Sequence, residues 1–219
     1  MKKKISPILS ILIVALTCIA AWGEECATEE KAPEVAKLAA PISPELDKLL
    51  DRGIKGLVVD VRDNLGGYYD EVVDIADRLL PEGTIVYTED RDKKQKIELS
   101  DKTELGIPLA ILVNGNSASA SEVLAGAIKD HGKGVLVGTR TFGKGVVQEL
   151  KFLEDGSGLK VTISRYFTPS GVCIQDIGIQ PDIEVPVGEK YENTPVSQIP
   201  REEDLQLKKA IDVVEMKMK

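Results

Sequence analysis

The segment NGNSASASEVLAGAIKDHG, residues 114–132, carries three closely spaced serines and is the part of the sequence best suited to chemistry. Ser119 stands where an apolar strand gives way to an apolar helix, so its hydroxyl would lie at the positive end of the helix dipole. The amide of Ala120 beside it could hold the negative oxygen of an acyl-transfer intermediate. Ser119 and Glu122 also have the spacing of a capping box, in which both side chains only satisfy free helix amides. The pattern therefore leaves a nucleophile and a helix cap as alternatives.

A serine nucleophile needs a base, and two residues have to be weighed for that role. His131, the one histidine of the chain, lies at the far end of the same predicted helix, roughly 18 Å from Ser119 at 1.5 Å per residue, and we interpret it as a solvated helix-end residue. Lys144 follows a strand that runs back toward Ser119, and a lysine drawn into a dry site can act as a general base. Gln148 lies on the same face of an extended segment and could orient the Lys144 amine. Taken alone, Lys144 is more simply a surface lysine in a glycine turn.

The turn NLGG offers a second backbone donor for an oxyanion. Gly66 and Gly67 end the predicted strand GLVVDVRD, and a glycine N–H has no side chain in its way. Ligands of open α/β sheets bind at the carboxyl ends of the strands. We therefore expect this turn and the serine segment to lie together.

The loop GTRTFGKG also resembles a phosphate-binding loop, which predicts nucleotide binding as a competing function. Gly145 stands where that motif needs a hydroxyl for magnesium, and the β-branched segment VVQELKFL predicts a strand where the motif needs a helix. We therefore expect no nucleotide site. No cluster of histidine and cysteine has the spacing of metal ligands, so neither a metal nor a cofactor is predicted.

Strands and helices alternate along the chain with short glycine-marked turns, which predicts an α/β fold with a mostly parallel sheet. The apolar runs GLVVDVRD and IPLAILVNG are typical of strands buried on both faces. Helices are predicted from the cap Ser43 to Gly53, in the segment ended by Pro81, and in EEDLQLKKAIDVVEMK near the C-terminus. The segment TIVYTEDRDKKQKIEL predicts a hairpin with a charged tip.

The first residues have the composition of an export signal, with MKKK, an apolar run and small residues before Gly23. Residues 1–23 are predicted to be a signal peptide or, because the run could cross much of a bilayer, an uncleaved N-terminal anchor. The net charge of −8 would become −11 on loss of the three lysines in this segment. An acidic, aromatic-poor surface argues against nucleic acid and anionic lipid heads as partners. Cys26 and Cys173 could pair in an oxidising compartment or remain free thiols.

Four segments in order resemble the carboxyl-terminal processing (tail-specific) serine peptidases: GLVVDVRDNLGG, VNGNSASASEVLAGAIKDHG, GTRTFGKGVVQ and RYFTPSGVCIQDIGIQPDIEV. The resemblance covers residues 43–188, and the 25-residue step from Ser119 to Lys144 matches the family's step from nucleophile to base. It implies that Ser119 is the nucleophile, that Lys144 is its base and that Gln148 is the partner of the lysine. It also implies an oxyanion site formed by the amide of Ala120 and the amide of one glycine of NLGG, either Gly66, which is preferred, or Gly67.

The same resemblance implies a crotonase-like core of repeated ββα units that works without metal or cofactor. It implies protein or peptide substrates, cut near their C-termini, and an exported enzyme of the periplasm or cell envelope. Contact with the inner membrane would come only through an uncleaved N-terminal segment.

The chain also departs from the family pattern. The family's PDZ domain cannot fit into the fewer than 40 residues between the signal and the strand GLVVD, and Val172-Cys173 replaces a usual basic residue. The expected organisation is signal or anchor 1–23, linker 24–41, tail-specific peptidase core 42–188 and C-terminal tail with an amphipathic helix 189–219. The missing segment makes a shortened, non-cutting core, serving as a binding or assembly module, the alternative function. An exposed sheet edge would favour a homo-oligomer or a partner that supplies the PDZ domain.

Overall fold

The computed structural model describes residues 42–218 of the chain. Within this range the elements follow in this order: α1 (Ile42–Asp51), β1 (Leu57–Asp60), α2 (Tyr69–Leu79), β2 (Gly83–Asp90), β3 (Gln95–Ser100), β4 (Leu109–Val113), α3 (Ala120–Asp130), β5 (Gly134–Gly138), β6 (Val146–Phe152), β7 (Gly158–Phe167), β8 (Ile183–Glu184) and α4 (Leu205–Lys217). Two short 3₁₀ helices, Glu189–Tyr191 and Val196–Gln198, lie between β8 and α4.

Four strands form a parallel sheet in the order β1-β4-β5-β8. Its side chains alternate between two apolar clusters, as the two-residue period of a strand requires. In β1 and β4, Val59 and Ile111 pack with α2 and α3, whereas Val58 and Leu112 pack with Leu207 and its neighbours on α4. Every residue of β1 and β4 is buried, which confirms the prediction of strands covered on both faces.

The other four strands form a separate antiparallel sheet in the order β3-β2-β7-β6. The expectation of a mostly parallel sheet is therefore right for one sheet and wrong for the other. The physical reason is the length of the connections: the loops that join β2 to β3 and β6 to β7 are too short for a crossover and force hairpins. The hairpin predicted from the first of these segments is confirmed, and the ββα repeat implied by the family resemblance stays an expectation.

The helix predictions agree with the fold at both ends of the described range. Helix α1 begins at Ile42, one residue before the predicted cap, and Gly53 follows its end with φ +72°, a left-handed conformation that favours glycine. Helix α2 ends at Leu79, ahead of Pro81, which cannot continue a helix. The C-terminal helix α4 is capped by Asp204, whose carboxylate accepts from the Leu207 amide.

A buried ionic cluster ties α4 to the end of β1. The Arg62 guanidinium donates to Asp60 at 2.6 Å and to Asp204 at 2.8 Å, and it also donates to Gln206 at 2.9 Å. Arg62 and Asp204 are 142 residues apart in sequence, and both side chains are almost fully inaccessible. Asp204 therefore caps α4 and at the same time holds Arg62. Arg62 lies two residues before Asn64, in the segment that leads into the NLGG turn.

Several predictions concern residues that lie outside the described range. The signal or anchor 1–23, the linker 24–41 and Cys26 belong to this group. Cys173 is half-buried and has no disulfide partner between residues 42 and 218. No helix in that part of the chain is long and apolar enough to cross a membrane.

Breaking the Arg62 cluster should destabilise the fold strongly. We expect Arg62→Met to lower the free energy of unfolding by about 3–5 kcal/mol, because two buried carboxylates lose their cation. The measurement is urea denaturation followed by far-UV circular dichroism. Lys190→Met, which breaks an exposed ion pair with Glu203, should leave the midpoint nearly unchanged. Equal midpoints for the two variants would contradict this account.

Candidate active site

The turn after β1 and the serine segment after β4 lie side by side at the carboxyl edge of the parallel sheet. Strands β1 and β4 are neighbours, and several hydrogen bonds join the loops that follow them. The Asn64 carbonyl accepts from the Ala118 amide at 2.9 Å and from the Ser121 hydroxyl at 3.1 Å. The Ser117 hydroxyl donates to the Val61 carbonyl at 2.7 Å, and the Asp63 amide donates to the Asn114 side chain. The expected proximity of the two loops is confirmed.

Ser119 has an unusual backbone conformation. Its φ of 56° and ψ of −116° place a non-glycine residue outside the extended region that helix caps normally occupy. Ser119 and Glu122 do form the predicted capping box, in which the Ser119 amide donates to Glu122 Oε2 at 2.9 Å. A cap alone does not need a positive φ, and such strain persists only where surrounding contacts hold it. A strained serine between a strand and a helix is also the arrangement of a nucleophile elbow.

The Glu122 carboxylate joins the serine segment to the lysine loop. It is completely buried. Its Oε1 accepts from the Thr141 hydroxyl at 2.6 Å and the Gly143 amide at 2.7 Å, and its Oε2 accepts from the amides of Ser119 and Lys144 at 2.9 and 2.8 Å. Because one oxygen atom accepts from both amides, the backbone nitrogens of Ser119 and Lys144 lie within about 6 Å of each other.

The route of the chain between these two residues is the one that the sequence predicts. Helix α3 carries it away from Ser119, and β5 returns it along the sheet to Lys144. The Lys144 side chain is half-buried, and its ammonium has no carboxylate partner within residues 42–218.

The two glycines of NLGG differ in their surroundings. The Gly66 amide already donates to the Asn64 side chain at 2.9 Å, whereas the Gly67 amide has no acceptor among the described residues. Gly66 has φ +95°, and a methyl group on it would lie 2.8 Å from the Ala120 nitrogen. Ala120 opens α3, where the first amides have no acceptor inside the helix. The geometry therefore favours the amides of Gly67 and Ala120 as the free donors, with Gly66 as the point of close approach, whereas the sequence favoured Gly66 itself.

Gln148 and His131 lie apart from this cluster. Gln148 is exposed on β6, next to an irregularity in the β6–β7 register, and its role as partner of the lysine stays a prediction. His131 caps the far end of α3, which confirms its separation from Ser119. It is not an ordinary solvated residue, however, because it is half-buried, its Nε2 lies 2.7 Å from the Thr84 carbonyl oxygen and its ring contacts Gly83.

An open cavity of about 700 Å³ lies at the same edge of the sheet. Asn114 and Asn116, just before the serines, form one wall, and Tyr191 and Val196 of the C-terminal tail form another. The Asp63 carboxylate joins the walls by accepting from the Val196 amide and from both asparagine side chains. Burial of Asp63 opposes its ionisation, but these hydrogen bonds outweigh that cost and lower its pKa.

Three contributors to the site were not assigned a role from the sequence. Asn64 accepts from Ala118, Ser121 and Gly66, and Thr141 and Gly143 each donate to Glu122. The only local signal was the Asn-Leu-Gly-Gly turn, since asparagine often accepts from an amide two residues on. The four donors that meet on Glu122 come from two loops about 20 residues apart, and no local pattern encodes that meeting.

The comparisons with known proteins agree with this geometry. The model of peptidase family S41 matches residues 30–185, and the chain therefore belongs to this family. It is 44% identical over 140 residues to the C-terminal processing peptidase, chloroplastic, of Tetradesmus obliquus. It is 41% identical over 167 residues to the carboxy-terminal-processing protease of Bartonella bacilliformis. The S41 assignment confirms the family resemblance drawn from the sequence.

Two solved structures show the same fold. The photosystem II D1 C-terminal processing protease superposes with a TM-score of 0.62 at 42% identity, over 66% of this chain and 38% of that one. Mature CPAF complexed with lactacystin superposes with a TM-score of 0.60 at 15% identity, over 74% of this chain and 45% of that one, and shares the fold alone. The match to the Tetradesmus peptidase covers 63% of this chain and 30% of the relative, and the match to the Bartonella protease covers 73% and 38%. The chain thus spans about a third of the length of these relatives.

Removal of the Glu122 charge should loosen both loops at once. We expect Glu122→Gln to lower the free energy of unfolding by about 2–3 kcal/mol, because an amide NH₂ would face N–H and O–H donors in a buried site. Chemical denaturation measures the change. Glu154→Gln, in the exposed β6–β7 turn, is the matched control and should have no effect. A Glu122→Gln protein as stable as this control would show that the carboxylate does not hold the loops.

Gly66 should tolerate no side chain, for a reason beyond its positive φ. Gly66→Ala and Gly53→Ala both place alanine at a positive φ, which costs about 1–2 kcal/mol. Only the methyl group at position 66 would meet other atoms, 2.6 Å from the Ala118 oxygen, while position 53 is open. We expect Gly66→Ala to be clearly less stable than Gly53→Ala in thermal unfolding. Equal melting temperatures would contradict the close approach of the NLGG turn to the serine segment.

Proposed function

We propose that the chain is a serine endopeptidase in which Ser119 is the nucleophile and Lys144 is its general base. The observation that carries the proposal is the single Glu122 oxygen that accepts from the amides of both residues. That contact brings together two positions that are 25 residues apart in sequence. The positive φ of Ser119 supports the same assignment, and so does the Lys144 ammonium, which has no carboxylate partner within residues 42–218.

In the proposed reaction, the Ser119 hydroxyl oxygen attacks the carbonyl carbon of a peptide bond while its proton passes to the neutral Lys144 amine. The amides of Ala120 and Gly67 would donate to the oxygen that becomes negative. The Lys144 ammonium then gives its proton to the leaving nitrogen, which releases the new amine and leaves an acyl-enzyme. Water, deprotonated by Lys144, hydrolyses the ester and restores the Ser119 hydroxyl.

Substrate class and location belong to the same proposal. The names of the relatives describe processing at the carboxyl terminus, and we infer that this chain also cuts protein substrates near their C-termini. The cavity beside Asn114 and Asn116 lies at the edge of the sheet that carries the serine segment, and we place an extended peptide there. The export signal or anchor predicted for residues 1–23 would place this activity in the cell envelope.

Substitution of the dyad tests the mechanism. We expect Ser119→Ala and Lys144→Arg each to reduce turnover of an unstructured, apolar-ended peptide at least roughly 1,000-fold. Arginine keeps the positive charge of Lys144 but cannot give up its proton, so it separates a base from an electrostatic role. Lys160→Arg, an exposed lysine on β7, should cut at the parental rate. Cleavage products are followed by mass spectrometry.

Two results would contradict the proposal. If Lys144→Arg kept parental turnover, the lysine would not be the base. If the folded parent did not cut, the alternative of a binding or assembly module would be favoured. For a parent that cuts, the preference for carboxyl ends is tested by comparing the cleavage of a peptide with a free C-terminus and of the same peptide with a C-terminal amide.

A further inference from the structure

The outer part of the β6–β7 hairpin projects from the molecule with both faces in contact with solvent. All residues from Gln148 to Phe152 are exposed. They include Leu150, 55% exposed, and Phe152, 74% exposed. A two-stranded ribbon is only marginally stable in water, and apolar side chains on it favour burial against further strands.

Strand β6 forms one edge of its sheet, and its outward-facing peptide groups can be identified. The Gly145 carbonyl accepts from Tyr166 and the Leu153 amide donates to Ser157, so both residues turn toward β7. Because peptide groups alternate along a strand, Gln148, Leu150 and Phe152 turn their amides and carbonyls away from β7. No strand between residues 42 and 218 pairs with this edge.

We propose that the β6 edge pairs antiparallel with the β6 edge of a second copy of this chain, with Leu150 on the two-fold axis. The charges of β6 select this register. Glu149 and Lys151 flank Leu150 on one face, where their side chains lie 4.0 Å apart. In the two-fold register about Leu150, Glu149 of each copy lies opposite Lys151 of the other, so two oppositely charged cross-strand pairs form.

The neighbouring registers are unfavourable. A two-fold axis through Glu149 would place two carboxylates opposite each other, and an axis through Lys151 would place two ammonium groups opposite each other. The register about Leu150 also pairs Leu150 with itself and Val147 with Leu153, which covers apolar side chains on both faces of the ribbon. Two hairpins would thereby form one continuous four-stranded ribbon.

The other sheet edge, β3, also exposes apolar side chains, Ile97 at 51% and Leu99 at 66%, but its charges are already engaged within the same copy. Its Lys96 ammonium lies 5.6 Å from the centre of the Tyr69 ring on α2, and Lys96 also pairs with Glu98 at 2.8 Å. Among residues 42–218, the charges of β6 contact only each other, at 4.0 Å, which is a longer separation than that of Lys96 and Glu98.

A charge-swap cycle in sedimentation equilibrium tests the proposal on the full 219-residue chain in density-matched detergent. We expect the parent to be dimeric, and Glu149→Lys and Lys151→Glu each to weaken the dimer roughly tenfold or more, because two attractive pairs become repulsive. An equimolar mixture of the two single variants should restore the dimer as a heterodimer. The double variant should restore it as a homodimer. Glu202→Lys, the same charge change at an exposed site away from β6, should leave the dimer unchanged.

Four results would overturn the proposal. The first is a parent that is monomeric at about 100 µM. The second is a dimer that none of the β6 variants weakens, which would mean association through another surface. The third is that both single variants alter peptide turnover but leave the molecular mass of the assembly unchanged, which would assign the β6 edge to substrate binding instead. The fourth is an equimolar mixture that does not restore the dimer although both single variants weaken it, which would exclude the Leu150 register.

Discussion

One buried carboxylate holds the candidate site together. Glu122 accepts from the Ser119 amide at the start of α3 and from three donors on the loop that precedes β6. A buried carboxylate is unfavourable unless several donors compensate for its lost hydration. That requirement fixes the loop onto the helix start, because the loop cannot leave without exposing an unsatisfied charge. The position of Lys144 near Ser119 is therefore a consequence of satisfying Glu122.

A second constraint acts from the opposite side of Ser119. Asn64 accepts from Ala118 and Ser121 and orders its own turn by accepting from Gly66. The turn comes so close to residues 118–120 that only glycine fits at position 66. Ser119 is held between this turn and the Glu122 clamp, which explains how a serine can persist at a positive φ. Helix capping and nucleophilic chemistry are compatible here, because the cap uses the Ser119 amide and leaves the Ala120 amide without an acceptor among the described residues.

The two sheets divide the work of the fold. The parallel sheet, covered on both faces, supplies a rigid edge for the site, and the buried Arg62 cluster attaches the C-terminal helix to the strand that leads into the NLGG turn. The antiparallel sheet leaves an edge and part of a ribbon in contact with solvent. Under the proposed function, substrate binding and assembly would use exposed peptide groups and side chains, whereas Ser119 and Lys144 would need buried surroundings to hold their positions. The separation of the sheets satisfies both needs.

The sequence by itself determined the elements, the strands buried on both faces, the two loops of the site and the S41 family, because apolar periodicity, glycine turns and ordered motifs are local signals. It also predicted the return of Lys144 toward Ser119, because the lengths of helix α3 and strand β5 follow from their residue numbers and nearly match. It did not determine the split into two sheets, the hydrogen bond that engages the Gly66 amide, the anchored state of His131 or the Arg62–Asp204 pair. These depend on contacts between residues far apart in the chain. Only the tertiary structure could decide them, because hydrogen-bond partners and steric clearance depend on three-dimensional positions, which the spacing of residues along the sequence does not give.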